Sequence, residues 1–223
     1  MERVVPADVL RLLETVGESV WQRNLVTNEI AITIGVWTAL GYEPADVPTT
    51  LDQAIAMFHP DDGQRILVEL ETYLSGSGKG YRTQGCVRAA NGEWRWLRIT
   101  GGVITRDPSG KAVLLGGLLS DISQEIAEQS SKAAAEGRLA RLTKREQDVL
   151  EGMLGGLTSK EIGAALNLSS RTVESYRARV MEKLQVRTIA ALVQLCGQAD
   201  WRRQNRPSGV AFEGSELERA SQQ

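Results

Sequence analysis

The residues of this chain best suited to chemistry lie between Lys160 and Lys183. Arg171, Glu174, Ser175, Ala178 and Arg179 are spaced so that, at 3.6 residues per turn, they share one face of a helix. Every group on that face is polar or small, so a helix bearing it can enter the major groove of DNA, where base edges offer donors and acceptors. Glu174 has the chemistry to accept from a cytosine amino group, and Ser175 can donate or accept. Ser170 and Thr172 share the first turn, where free backbone N–H groups and the helix dipole attract a phosphate. Arg171, Arg177, Arg179, Lys183 and, upstream, Lys160 supply cations that hold a phosphate backbone in register.

Those side chains need a platform, and the neighbouring residues provide one. Thr143 and Glu146 have the spacing of a capping box, in which the hydroxyl takes the Glu146 amide and the carboxylate returns to the Thr143 amide. Val149, Leu150, Met153 and Leu154 then form the buried stripe of a helix that Gly155 and Gly156 end with left-handed backbone. Thr158 and Glu161 repeat the box for a short second helix carrying Ile162, Ala165 and Leu166, which Asn167 stops. Ser169 caps a third helix whose buried face is Val173, Tyr176, Val180 and Leu184. A single amphipathic helix is ordinarily the solvated side of a bundle. Three short helices with a tight turn, in the order a DNA reader requires, point instead to double-stranded DNA as partner.

From Leu142 to Leu195 the chain resembles the LuxR/FixJ class of helix-turn-helix regulators, also called the NarL or GerE class. Glu146, Leu150 and Gly156 fall where that class has its characteristic residues, and SKEIG, SSRTVESYR and MEKLQVRT are similar to its successive signatures. The resemblance implies base-reading positions at Glu174, Ser175 and Ala178. It also implies a fourth helix, Ile189 to about Cys196, through which two copies pair on DNA, with Ile189, Leu192, Val193 and Cys196 as the pairing residues. Ala178 departs from members that carry a lysine there, so the half-site sequence does not transfer.

Charge divides the chain in the same way. Residues 1–122 hold 11 Lys and Arg against 15 Asp and Glu, whereas residues 138–206 hold 13 against 7, so the net charge of −2 conceals a basic C-terminal part. Counterion release on a duplex needs clustered cations, not a basic whole chain. A length of 223 residues suits two ordinary domains, and 42% hydrophobic with 24% charged is globular composition. No apolar run reaches the ~18 residues that mark a membrane span. The opening MERVVPADVLRLLE has acids where a signal peptide has an apolar core, so a cytoplasmic protein is expected. Cys86 and Cys196 fall in different halves, which disfavours a disulfide, and no Cys/His spacing marks a metal site.

The first half has another pattern. Val9, Leu10, Leu12, Leu13 and Val16 suit a flanking helix within residues 1–19, and VWQRNLVTNEIAIT reads as two strands around a Thr27-Asn28 turn. Helical spacing from Thr49 to Leu74 is interrupted at His59, Pro60, Asp61, Asp62 and Gly63. Three strands follow, Tyr81 to Arg88, Glu93 to Thr105 and Val113 to Leu119, joined by the turn residues Ala90-Asn91-Gly92 and Asp107-Pro108-Ser109-Gly110. This order resembles a PAS domain with its PAC motif, on the segments VWQRNLVTNEI, FHPDDGQRI, RAANGEWRWLRITGGVITRDPSG and LLGGLLSDIS, with Ser123 standing for the family's threonine. The resemblance implies a five-stranded antiparallel sheet with helices on one side and an interior that often holds a small molecule.

Trp21, Trp37, Met57, Phe58, Tyr81, Cys86, Trp94 and Trp96 are the candidate pocket residues, although the same aromatic groups equally fill a solid core. Alternation sets Trp94 and Trp96 on one sheet face and Leu97 and Ile99 on the other. Cys86 lacks the Asn-Cys-Arg setting of flavin-binding relatives, and His59, the one histidine, sits in a loop where a capping role is expected. Neither flavin nor haem is therefore expected; the cofactor is unknown, and a small organic ligand is the candidate.

The expected fold class is α+β. A PAS domain spans residues 20–123, a helical linker 124–141, an all-α four-helix unit 142–201 and a disordered tail 202–223. Ile122, Ile126, Gln129, Ala133, Glu136 and Ala140 give the linker loose heptad spacing, and Gly137 interrupts it. An enzyme is not expected, since Ser, His and Cys never meet in a nucleophile motif and SGSGKG lacks the spacing of a phosphate loop. The expected function is a one-component, homodimeric transcription regulator whose sensor domain responds to a small-molecule signal or partner and controls operator binding. The alternative is a ligand-free PAS module that recruits a kinase or another regulator. An upstream acyl-homoserine-lactone domain, also found before such DNA-binding units, is opposed by the PAC segment.

Overall fold

The computed structural model of the chain describes residues 7–76, 78 and 80–201, and the chain divides into two compact units between Ile126 and Ala127. The expected tail and its arginines, and Ser77 and Lys79 of the SGSGKG segment, lie outside the described residues.

In the first unit α1 (Ala7–Thr15) precedes β1 (Glu18–Asn24) and β2 (Ile30–Ile32). Three short turns of helix follow, α2 (Gly35–Ala39), a 3-10 turn (Pro44–Asp46) and α3 (Leu51–Ala56), and then α4 (Pro60–Ser75). The unit closes with β3 (Tyr81–Arg88), β4 (Trp94–Arg106) and β5 (Ala112–Asp121). The sheet is antiparallel with the order β2-β1-β5-β4-β3. Asn28, at φ 62°, makes the left-handed turn between β1 and β2, while Gly92 and Gly110, at φ 87° and 89°, serve the two later hairpins.

The HPDDG segment, read above as an interruption, starts α4. Pro60 takes the first helical position, where its missing N–H is no loss, and Asp61 and Asp62 sit at the positive end of the dipole. This corner seals the edge strand. The His59 amide donates to the Cys86 carbonyl at 2.8 Å, the Cys86 amide donates to Asp62 Oδ2 at 2.8 Å, and the Arg65 guanidinium reaches the Gln84 carbonyl. An edge covered in this way is closed to strand addition.

Two glycine doublets meet at the centre of the sheet. Gly117 pairs with Trp21 on one side and Gly101 on the other, and Gly101 in turn pairs with Tyr81. The Trp21 indole lies over this bare backbone and donates to the Thr100 carbonyl at 3.1 Å. A Cβ on Gly101 would stand 2.6 Å from both Trp21 Cζ2 and the Gly116 carbonyl oxygen. Around the indole, Val36, Trp37, Phe58, Ile66, Val87, Leu97 and Leu115 form the core.

After β5 comes α5 (Ser123–Leu139), whose bounds cross the division between the units. The hydroxyl that Ser123 shares with threonine is used: Ser123 Oγ accepts from the Trp96 amide at 2.8 Å and from Arg95 Nε at 3.1 Å. Asp121 accepts from the Ser123 amide and pairs with Arg95 at 2.6 Å. Gly137 does not interrupt α5, because a glycine inside a helix loses only about 1 kcal/mol relative to alanine.

The second unit holds α6 (Lys144–Leu154), α7 (Ser159–Leu166), α8 (Ser170–Lys183) and α9 (Ile189–Gln198). Both expected capping boxes are present, Thr143 with Glu146 and Thr158 with Glu161. Only Gly156 is left-handed at the end of α6, at φ 76°; Gly155 stays in the right-handed region at φ −78°. Ala165, expected on the buried face of α7, is exposed, and Gly163 is buried in its stead. The turn into α8 is tight, with Asn167 at φ 55° and the Leu168 amide donating to the Gly163 carbonyl at 2.8 Å. A Cβ on Gly163 would lie 2.6 Å from the Leu168 carbonyl oxygen. Val149, Leu150, Ile162, Val173, Val180, Leu184 and Leu192 are fully buried, and Ala135 and Leu139 of α5 complete this core.

Candidate functional site

Ser169 opens α8 by accepting the Thr172 amide at 3.0 Å, leaving the other first-turn amides to face outward. Ser170, Arg171, Glu174, Ser175 and Ala178 line one open recess on the helix surface. Thr172 and Arg179 are exposed beside it, and Lys160 is exposed in the first turn of α7. Ser175 Oγ donates to the Arg171 carbonyl at 3.2 Å, so its lone pairs are what it offers outward. Arg179 lies over the Tyr176 ring, 5.9 Å from its centroid.

Two expected phosphate ligands have internal partners. Lys183 Nζ stands 2.7 Å from Oε2 of Glu146, which is 3% exposed, and Arg177 donates to the Leu157 carbonyl at 3.4 Å. Burial pushes the Glu146 carboxyl up, but hydrogen bonds from Lys183 and Thr143 outweigh it and hold the group below its ordinary range. On α9, Ile189 and Val193 are 42% and 51% exposed, one turn apart. Leu192 and Cys196, expected at the pairing seam, are instead 0% and 5% exposed within their own core.

The first unit holds a partly open apolar cavity of about 80 Å³. Of the expected pocket residues, Trp21, Trp37, Phe58 and Tyr81 line it; Met57, Cys86, Trp94 and Trp96 do not. Cys86 and Trp96 pair across β3 and β4 and belong to the sheet face opposite Leu97 and Ile99, which do line it. Burial pushes the Cys86 thiol up, and neighbouring Asp62 adds to this. Trp94 packs edge-on against His59 with centroids 5.2 Å apart. The Tyr81 hydroxyl donates to the Ile66 carbonyl, and burial pushes its pKa up to about 12.

Residues 140–196 match the model of the bacterial regulatory proteins of the luxR family, and residues 30–119 match that of the PAS fold. The chain thus joins a segment matching the PAS fold to a segment matching the luxR family. FixJ of Bradyrhizobium diazoefficiens, a transcriptional regulatory protein, is 40% identical over 83 residues, 36% of this chain and 40% of FixJ. UhpA of Escherichia coli, also a transcriptional regulatory protein, is 52% identical over 52 residues, 23% of this chain and 26% of UhpA. The chain thus spans well under half the length of these relatives. Among solved structures, a sensory box histidine kinase/response regulator from Burkholderia thailandensis is 22% identical at a TM-score of 0.49, covering 59% of this chain and 98% of that one.

No helix among the described residues is long and apolar enough to cross a membrane. Sequence reasoning missed Arg23, Ile30 and Ile32, which line the PAS cavity. A signal for Arg23 was present, since the two-residue period of a strand puts it on the same face as Trp21.

Proposed function

We propose that the regulator reads double-stranded DNA with the exposed face of α8, as a homodimer whose PAS domain responds to a small molecule or a partner. The observation that carries this reading is the two-sidedness of α8. Val173, Val180 and Leu184 are fully buried, so the helix is fixed by its apolar side, while Arg171, Glu174, Ser175, Ala178 and Arg179 remain free of the core. Glu174 and Ser175 then address base edges, and Arg171, Arg179 and Lys160 hold phosphates. Exposed Ile189 and Val193 support pairing through α9. That FixJ and UhpA are transcriptional regulatory proteins supports the assignment.

The test is fluorescence anisotropy of the full chain on duplexes selected from a random pool, repeated across salt concentrations. Arg171→Ala should weaken binding to every sequence and reduce the slope of log K against log salt by about 0.9. Glu174→Ala should leave the slope alone and relax one base position, by about 1–3 kcal/mol of discrimination. An unchanged slope in Arg171→Ala, or no salt-dependent duplex binding at all, overturns the reading. A second reading, the PAS domain as an interaction module, draws on Leu12 and Val16, which are 62% and 64% exposed. Native mass spectrometry separates the two, since a reproducibly retained small mass supports the ligand reading and a bare dimer the module.

A further inference from the structure

The heptad spacing of the linker does not describe what α5 buries. Of the expected seam, Gln129, Ala133 and Ala140 are exposed. The buried residues of α5 are instead Ala135 and Leu139, one turn apart, and both sit in the core of the second unit with Leu192 and Leu195 of α9 and with Trp201. Just beyond α9, Asp200 takes left-handed backbone at φ 49°, which few residues with a Cβ accept, and its amide donates to the Gly197 carbonyl at 3.1 Å. Glycine or asparagine is the common residue at such a helix end. Aspartate adds a carboxylate, and Lys132 Nζ of α5 stands 2.8 Å from its Oδ2. A left-handed stop, an ion pair and a shared core thus tie α5 to the C-terminal end of α9. The same helix starts beside β5, where Ile122 is fully buried and Arg98 pairs with Glu125 at 2.7 Å.

We propose that the second half of α5 is a fifth helix of the DNA-reading unit, committed to its own chain, and that Lys132, Leu139 and Asp200 are positioning residues for α9, the helix through which two copies pair. This rests on the pairing reading of α9. A two-stranded seam needs large apolar residues at its a and d positions, and Leu139, the large apolar residue of this half of α5, is already buried in its own chain. The clasp fixes where α9 ends, and Ile189 and Val193 on that helix are thereby held in their outward register. A change in the sheet that turns or frays α5 then reaches the pairing helix without any contact between two linkers.

The test uses the full chain. In amide exchange followed by mass spectrometry, Lys132→Met keeps the stem and Asp200→Asn keeps the left-handed backbone; each should speed exchange in α9 about two- to fivefold, the range that a half-exposed ion pair supports. The double variant should be no faster than either single one, because both remove the same contact. Leu139→Ala, which opens the shared core, should speed exchange about thirtyfold or more. On a duplex with two half-sites, the single charge variants should weaken binding of the second copy by a similar two- to fivefold in sedimentation velocity and leave affinity for one isolated half-site unchanged, which a general loss of fold would not do. Carbodiimide coupling should join Lys132 to Asp200, and in an equal mixture of unlabelled and heavy-nitrogen chains on that duplex the joined peptides should carry a single isotope. Unchanged exchange in α9, or accelerations that multiply in the double variant, overturns the clasp, and joined peptides of mixed isotope overturn its commitment to one chain. Altered exchange with unaltered pairing, where Val193→Asp abolishes pairing, overturns the positioning role. Where Val193→Asp also leaves pairing intact, the pairing reading of α9 falls and the positioning role with it, while altered exchange still upholds the clasp.

Discussion

Lys183→Met separates a structural cation on α8 from one that meets DNA. The ammonium lies 2.7 Å from Glu146, whose side chain is 4% exposed against 37% for Lys183. Glu146 also accepts from the Thr143 amide at 2.8 Å and the Thr143 hydroxyl at 2.9 Å. Methionine keeps the stem and removes the charge, leaving a buried carboxylate with only neutral donors. Removing one partner of a buried pair costs about 3–5 kcal/mol; the exposure of Lys183 and the surviving cap lower the expectation to about 2–3 kcal/mol. At a factor of ten per 1.4 kcal/mol, amide exchange in α6 and α8 of the full chain should accelerate roughly 30- to 150-fold. Adding Glu146→Gln should recover most of that protection. The sign of the pH dependence follows from the depressed carboxyl of Glu146. Its stabilisation is fully present above the ordinary carboxylate pKa of about 4.3 and is lost as pH falls through the lower folded value, so parent and variant should converge in acid. Unchanged exchange together with a shallower salt slope on DNA would refute the argument and return Lys183 to the phosphate contacts.

Gly101→Ala should destabilise the first unit by about 1–3 kcal/mol, read as a lower midpoint in thermal denaturation followed by near-UV circular dichroism, because its Cβ meets Trp21 and the Gly116 carbonyl. An unaltered midpoint would show that Trp21 is free to move aside. Ser123→Ala strips the acceptor from the Trp96 amide and should cost about 1–2 kcal/mol, whereas Ser123→Thr should be neutral in the same assay. Burial pushes the Asp121 carboxyl up, but Ser123 and Arg95 hold it below its ordinary range; its contribution is therefore complete above the ordinary carboxylate pKa, about 3.9, and is lost as pH falls through the lower folded value, which an acid titration of the denaturation midpoint should show. Val193→Asp should leave the fold intact and convert a dimeric complex on a two-half-site duplex into a monomeric one in sedimentation velocity; an unchanged complex would move the pairing surface elsewhere.

What could be read from the residues was mostly local. Capping boxes at Thr143 and Thr158, the αL stop at Asn167 and the turns at Asn28, Gly92 and Gly110 are set by neighbours within a few positions, and all appear where expected. The side of α8 that faces outward was equally legible, because it follows from the helical period alone. The partner of Lys183 was not, since Glu146 lies 37 residues away and only the packing of α6 on α8 brings it near. Pocket membership failed for a related reason. Trp94, Trp96 and Cys86 are apolar enough for a cavity, but sheet register sends them to the other face, and composition carries no register. Leu192 and Cys196, placed at the pairing seam by the resemblance alone, are core, because a helix packed on its own domain cannot give the same side chains to a second copy.

The turn between α7 and α8 bears on how binding sites are ranked. With Asn167 left-handed and no room for a Cβ on Gly163, the angle between the two helices is fixed before DNA arrives. Such a reader has little freedom to adapt its tilt to a poorly shaped groove, so the duplex must do the bending. Sequences with flexible pyrimidine–purine steps should then be favoured even at positions that no side chain touches, and affinity across sites should track the stiffness of the DNA as well as its bases.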